Sequence, residues 1–165
     1  MYKNERGVGA AIKKSGIPRE SVFVTSKVWR TSHGYERTKN AVLGSLRELG
    51  LEYIDLMLVH WPGPKTGWPL KRGDVSPPDW TPAMRDDTWR ALEDLHSEGK
   101  LRNIGVANYA RKHLEQLLAS CRTRPCLNQI ELHPLLQQKD LVDFCRGEGI
   151  AIQAYAFLGG SDGGR

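Results

Sequence analysis

Five short apolar runs, each ending on a polar or ionisable side chain, recur along this chain: residues 22–27 (VFVTSK), 53–60 (YIDLMLVH), 101–108 (LRNIGVAN), 127–133 (LNQIELH) and 150–155 (IAIQAY). Helix-like segments separate them. Residues 4–15 carry Val8, Ala11 and Ile12 on one helical face, with Gly16 as a stop and Pro18 behind it. Thr31 or Ser32 is placed to cap the next helix, where Val42, Leu46 and Leu49 repeat at i, i+4 and i+7 before Gly50. Asp86 or Asp87 is placed to cap a third, carrying Trp89, Leu92 and Leu95 and closed by Gly99. Leu114, Leu117 and Leu118 mark a fourth; Leu141, Phe144 and Cys145 mark a fifth that Gly149 stops.

Strand alternating with helix over short connections gives an α/β protein with a parallel sheet. Strands that present their chemistry at the carboxyl end belong to a β/α barrel. A closed barrel needs eight such units and roughly 250 residues, whereas five units fit in these 165 residues. The expectation is therefore a partial (β/α)8 TIM barrel of about five parallel strands, with residues 1–165 as one incomplete domain.

Composition narrows the function. With 39% hydrophobic and 26% charged residues the chain is neither disordered nor a membrane protein, and no apolar stretch approaches transmembrane length. The first twenty residues lack the apolar core of a secretory signal. Three cysteines without C-x-x-C spacing read as reduced thiols, and the expected compartment is the cytoplasm. A net charge of +5, spread over small clusters, is that of a solvated surface and also suits an anionic small molecule such as a dinucleotide. Without a zinc finger or an aromatic RNA-binding signature, neither nucleic acid nor membrane is an expected partner.

Lys27 and His60 each close an apolar run at matching strand ends, where burial or a neighbouring charge tunes an ionisable group for chemistry. Trp61 and Pro62 set a bulky wall and a turn beside the imidazole. Glu131 and His133 share a strand face, but two ligands without a third make no metal site. Asp55, inside the second run, reads as hydrogen-bonded structural support. Residues 63–82, rich in proline, glycine and charge and including Trp68 and Trp80, read as a long loop over the carboxyl face. The glycine-rich tail, 157–165, is a phosphate-cradling loop or a frayed end; with no strand or helix after it, the frayed end is preferred.

These strand ends, with Y-x-N-E-x-x-V-G at 2–9, T-S-K-V-W at 25–29, D-L-M-L-V-H-W-P at 55–62, G-K-L-R-N-I-G-V-A-N at 99–108, N-Q-I-E-L-H-P at 128–134 and the late Ala154-Tyr155, resemble the aldo-keto reductase family over essentially the whole chain. The resemblance implies a (β/α)8 barrel that transfers hydride from NADPH, with NADH left open, to a small-molecule aldehyde or ketone. It implies that Tyr2 protonates the carbonyl oxygen, Lys27 assists it and His60 orients the substrate. It further implies that Asn108 and Gln129 hydrogen-bond the nicotinamide carboxamide, that Tyr155 stacks on its ring, and that Trp29 and Trp61 wall the substrate pocket. The complete protein would be a monomer.

The pattern also departs from the family's. The aspartate of the catalytic tetrad, the first strands and the last β/α unit have no counterpart here. Ala107 stands where many members have serine, and Ala156-Phe157 where Ser-Pro is common. The resemblance thus implies a truncated member, weakly stable and slow in turnover by itself. Two other readings differ in class: a non-catalytic cofactor-binding or regulatory barrel, and, more remotely, a lyase forming a Schiff base through Lys27.

Overall fold

The computed structural model describes residues 4–63 and 79–159. Tyr2, most of the 63–82 loop and the tail from residue 160 lie outside the described residues, so the expectations for them stand as they were. Helix and strand alternate: α1 (Glu5–Ser15), β1 (Thr25–Val28), α2 (Tyr35–Leu49), β2 (Leu56–Val59), α3 (Ala83–Ser97), β3 (Ile104–Ala107), α4 (Arg111–Ser120), β4 (Leu127–Glu131), α5 (Lys139–Gly147) and β5 (Ala151–Tyr155). The five strands form one sheet in chain order, and every pairing is parallel. That is the expected partial barrel of about five parallel strands with intervening helices.

Alternation along the strands sorts side chains onto two faces. Val28, Met57, Val59, Ile104, Val106 and Ile130 face the helices and are buried. Against most of them pack Val42, Leu46 and Leu49 of α2, Trp89, Leu92 and Leu95 of α3, and Leu114 and Leu117 of α4. Each fully buried aliphatic side chain contributes about 1.5–3 kcal/mol, so this layer holds the sheet. On the opposite face a smaller cluster of Leu56, Leu58 and Ala107 packs with Leu127. Gly105 lies beneath it: a Cβ there would come within 2.8 Å of Leu58 Cδ2 and 2.9 Å of Leu127 O.

Helix starts differ from the sequence expectation. Arg30–Ser32 forms a short 3-10 turn, and Gly34 rather than Thr31 or Ser32 stands at the head of α2. There the Gly34 N–H donates to Thr88 Oγ1 at 2.9 Å and the Thr38 hydroxyl to Ser32 O at 2.8 Å. The helix is tied to its neighbours through backbone groups, not by a local cap. α3 begins at Ala83, directly after Pro82, so Asp86 sits in its first turn and caps nothing.

α1 also packs differently. Val8 and Ala11 are exposed and Ile12 is half-buried; Gly9 is the buried residue. A Cβ on Gly9 would stand 2.0 Å from Leu49 O, so α1 meets the end of α2 backbone to backbone. Gly9→Ala is expected to push α1 off this contact and destabilise the fold by about 1–3 kcal/mol, read as a lowered urea midpoint at unchanged m-value.

Asp55 is structural. Its Oδ2 accepts from Arg19 Nη2 at 2.7 Å and from the Val24 N–H at 2.8 Å. Arg19 in turn lies over the Tyr53 ring at 4.1 Å. This anchorage sits at the amino ends of β1 and β2, away from the site described next.

Candidate active site

The register decides which polar strand ends meet. Lys27 pairs with Leu58, Leu58 with Gly105, Ala107 with Gln129, Gln129 with Gln153 and Glu131 with Tyr155. Paired residues in a parallel sheet project to the same side and period-two neighbours share it. Lys27, Trp29, His60, Gln129 and Tyr155 therefore rise on one face, the one opposite the helices, near the carboxyl ends. The ladder continues past β2, since the His60 N–H donates to Val28 O at 3.1 Å.

Asn108 draws these ends together. Its φ of +61° is a left-handed conformation that asparagine tolerates better than most residues. This turn lets its N–H donate to Gln129 O at 2.9 Å. Its side-chain Nδ2 donates to His60 O at 2.9 Å, and its Oδ1 accepts the Tyr155 hydroxyl at 2.7 Å. One residue thus links the ends of β2, β4 and β5 to its own strand. Gln129 Nε2 donates to Gln153 Oε1 at 2.7 Å.

Aromatic rings surround the imidazole. Trp29 meets His60 edge-on, with centroids 4.9 Å apart and planes at 70°, and Trp61 stacks on it at 6.2 Å and 18°. The Arg30 guanidinium lies 4.9 Å from the Trp29 ring centre and 4.7 Å from that of Trp61. The His60–Trp61–Pro62 backbone is braced from behind: a ring nitrogen of His33 lies 3.1 Å from Trp61 O, and Arg85 Nε donates to Pro62 O at 2.6 Å. A cavity of about 410 Å³ opens at the β1 edge, with Lys27, Trp29 and His60 in its wall and α1 and α2 behind. Asn108, Gln129 and Tyr155 stand outside it, farther along the sheet.

Burial tunes the ionisable groups. Desolvation lowers the Lys27 pKa from its ordinary value. Burial, followed by the positive charges of Lys27 and Arg30, lowers His60 to about 4, so its imidazole is neutral near pH 7. His33 also falls to about 4, chiefly through burial, with its hydrogen bond to Trp61 O opposing and Arg85 and Arg30 adding to the shift. An unfolded chain protonates both rings near 6.5, while the fold resists until about 4. Their contribution to stability is therefore complete above the unfolded value and is lost as pH falls from about 6.5 to about 4. Urea midpoints measured across that range are expected to drop, and less steeply in His33→Gln.

Tyr2 lies outside the described residues. The other site residues anticipated from the sequence, Lys27, Trp29, His60, Trp61, Asn108, Gln129 and Tyr155, stand on adjacent strand ends. Sequence reasoning passed over Arg30 and His33. The available signal was a cation directly after Trp29 and a histidine just before the Gly34 turn. Glu131 and His133 touch each other, with His133 Nε2 3.3 Å from Glu131 Oε1. Among the described residues no group of three or more His, Cys, Asp or Glu is placed to hold a metal ion, and no helix is long and apolar enough to cross a membrane.

A parallel sheet with helices on one face and polar groups gathered at its carboxyl ends defines a β/α-barrel protein of the kind whose chemistry sits at that rim. Comparison with known proteins gives the family. The aldo/keto reductase family model matches residues 1–162, and the chain belongs to that family. It is 48% identical over 162 residues to a 9,11-endoperoxide prostaglandin H2 reductase of Trypanosoma cruzi, covering 98% of this chain and 51% of that one. It is 46% identical over 158 residues to a glyoxal reductase of Bacillus subtilis, covering 96% and 51%. Among solved structures, an aldo-keto reductase of Bombyx mori in complex with NADP superposes with a TM-score of 0.82 at 36% identity, covering 94% of this chain and 49% of that one. The chain thus spans about half the length of the relatives it matches.

Proposed function

We propose that this chain carries the carbonyl and nicotinamide side of an NADPH-dependent reductase that converts small aldehydes or ketones to alcohols. The observation that carries the reading is the row of Lys27, His60, Gln129 and Tyr155 on one sheet face, the last three tied together by Asn108. Family membership supports it, as do an NADP-bound structural neighbour and a relative named for glyoxal reduction.

The polar groups suit a nicotinamide carboxamide, which offers one acceptor and two donor hydrogens. After its two internal bonds Asn108 keeps one Nδ2 hydrogen and one Oδ1 lone pair, and Gln129 keeps one Nε2 hydrogen and its own carbonyl oxygen. The Tyr155 ring, fixed through its hydroxyl, offers an aromatic face for stacking. When bound, NADPH supplies the hydride. In this reading Asn108 and Gln129 hold the carboxamide and Tyr155 the ring.

The chain's own residues handle the proton. Tyr2 is the proton donor to the carbonyl oxygen. A phenol with a pKa of about 10 is a weak acid at neutral pH, and a cation within about 4–6 Å favours its ionised form. Lys27 supplies that charge. Neutral His60 donates one ring N–H to the same oxygen, so the acceptor is oriented and its developing charge is met by a preset donor. Trp29 and Trp61 exclude water and favour apolar substituents on the carbonyl carbon. The test is oxidation of NADPH by glyoxal and by an aromatic aldehyde, together with equilibrium titration of NADPH, in the whole protein that carries this sequence. Aldehyde-dependent oxidation and saturable binding are expected. Binding without oxidation would replace the reductase reading by a cofactor-binding one.

A further inference from the structure

Arg30 is only 3% exposed, although a buried guanidinium must be matched by strong compensating contacts. It lies against the rings of Trp29 and Trp61 at 4.9 and 4.7 Å, the same two rings that contact His60. A planar, permanently charged group that meets two indoles is held by cation–π attraction and fixes both rings relative to each other. The backbones on either side also have hydrogen bonds of their own. Residues 29–32 are held by the Ser32 N–H to Trp29 O and the Thr38 hydroxyl to Ser32 O; residues 61 and 62 are held by His33 and Arg85. Those bonds do not involve the guanidinium, so replacing it removes its contact with both indoles and leaves the bonds in place.

We propose that Arg30 is a positioning residue that sets the mutual orientation of Trp29 and Trp61 and thereby the preference of the site for aromatic over small carbonyl compounds. The proposal rests on reading the two tryptophans as walls of the substrate site. It assigns Arg30 no contact with the substrate.

The test compares wild type with Arg30→Met, which keeps length and apolar volume, and Arg30→Lys, which keeps charge without the plane. Binding of nitrobenzaldehyde, followed by quenching of tryptophan fluorescence without cofactor, is measured beside KM and kcat for nitrobenzaldehyde and glyoxal. In both variants Kd and KM for nitrobenzaldehyde are expected to rise about tenfold, equivalent to about 1.4 kcal/mol, with KM for glyoxal changed far less and far-ultraviolet circular dichroism preserved. Wild-type affinity in either variant would overturn the proposal. Loss of fold in both would overturn it as well, since Arg30 would then be a folding residue. A wild type that binds nitrobenzaldehyde but oxidises no NADPH would end the reductase reading while leaving this one standing on the binding data. An active reductase indifferent to Arg30 would end this one alone.

Discussion

Lys27→Met is expected to lower kcat/KM for aldehyde reduction by about a hundredfold to ten-thousandfold, the usual range for loss of a group that assists proton transfer. Methionine keeps most of the unbranched stem and removes the charge. Lys27 lies near the carboxyl end of the edge-strand ladder and its ammonium is penalised by desolvation, a cost that methionine removes. Unchanged near-ultraviolet circular dichroism is therefore expected beside the lost activity. With no cation to stabilise its ionised form, the Tyr2 phenol becomes a weaker acid and the fall is concentrated in kcat rather than KM. A variant with near wild-type kcat would show that Lys27 is an ordinary strand-end lysine.

The largest effect on stability is expected at Glu93. This α3 carboxylate is 4% exposed and accepts from the Arg122 and Thr123 N–H groups at 2.6 and 2.7 Å and from Arg122 Nε at 3.0 Å. One turn nearer the start of α3, Trp89 Nε1 donates to Thr123 O at 3.0 Å. Together they hold the turn that leads from α4 into β4, and hence the strand bearing Gln129. Glu93→Ala leaves two part-buried backbone donors without their acceptor and is expected to destabilise by about 3 kcal/mol. The Arg122 side chain is 60% exposed, so the ion pair itself contributes little. Glu93→Gln, which keeps an acceptor oxygen, should therefore recover much of the loss. Urea denaturation of both variants decides it: equal losses would assign the stability to the charge and not to the backbone bonds.

The strands, with Lys27 and His60 at two of their ends, were legible in the sequence because both follow from local pattern, whereas Gln129, inside its run, was singled out only by the family resemblance. An apolar run closed by Lys27 or His60 marks a strand and its carboxyl end. The period of two then fixes which side chains share a face once the strands are parallel. Asn108 and Tyr155 likewise close their runs. What stayed hidden depends on partners far along the chain. Glu93 looks like any charged helical residue until the turn at Arg122 and Thr123 folds over it. Arg30 and His33 are a cation and an imidazole in an unremarkable polar stretch until Trp61 and Thr88 arrive. Helix starts were misread for a related reason. The Gly34 N–H donates to the Thr88 hydroxyl on α3 and the Thr38 hydroxyl to Ser32 O, so the local capping signal at Thr31 and Ser32 was outweighed by these contacts. On α1, amphipathic spacing pointed to Val8 and Ala11, but close approach to Leu49 selected Gly9.

The central claim is that an ammonium, a neutral imidazole and an amide-held aromatic ring serve one hydride transfer at the rim of this sheet. It is tested most directly by supplying NADPH deuterated at its transferable position together with an aromatic aldehyde, and weighing the product. An alcohol with one deuterium on the former carbonyl carbon is expected, formed by wild type and suppressed in Lys27→Met. An alcohol without the label, or no alcohol from a protein that binds both NADPH and aldehyde, would contradict it.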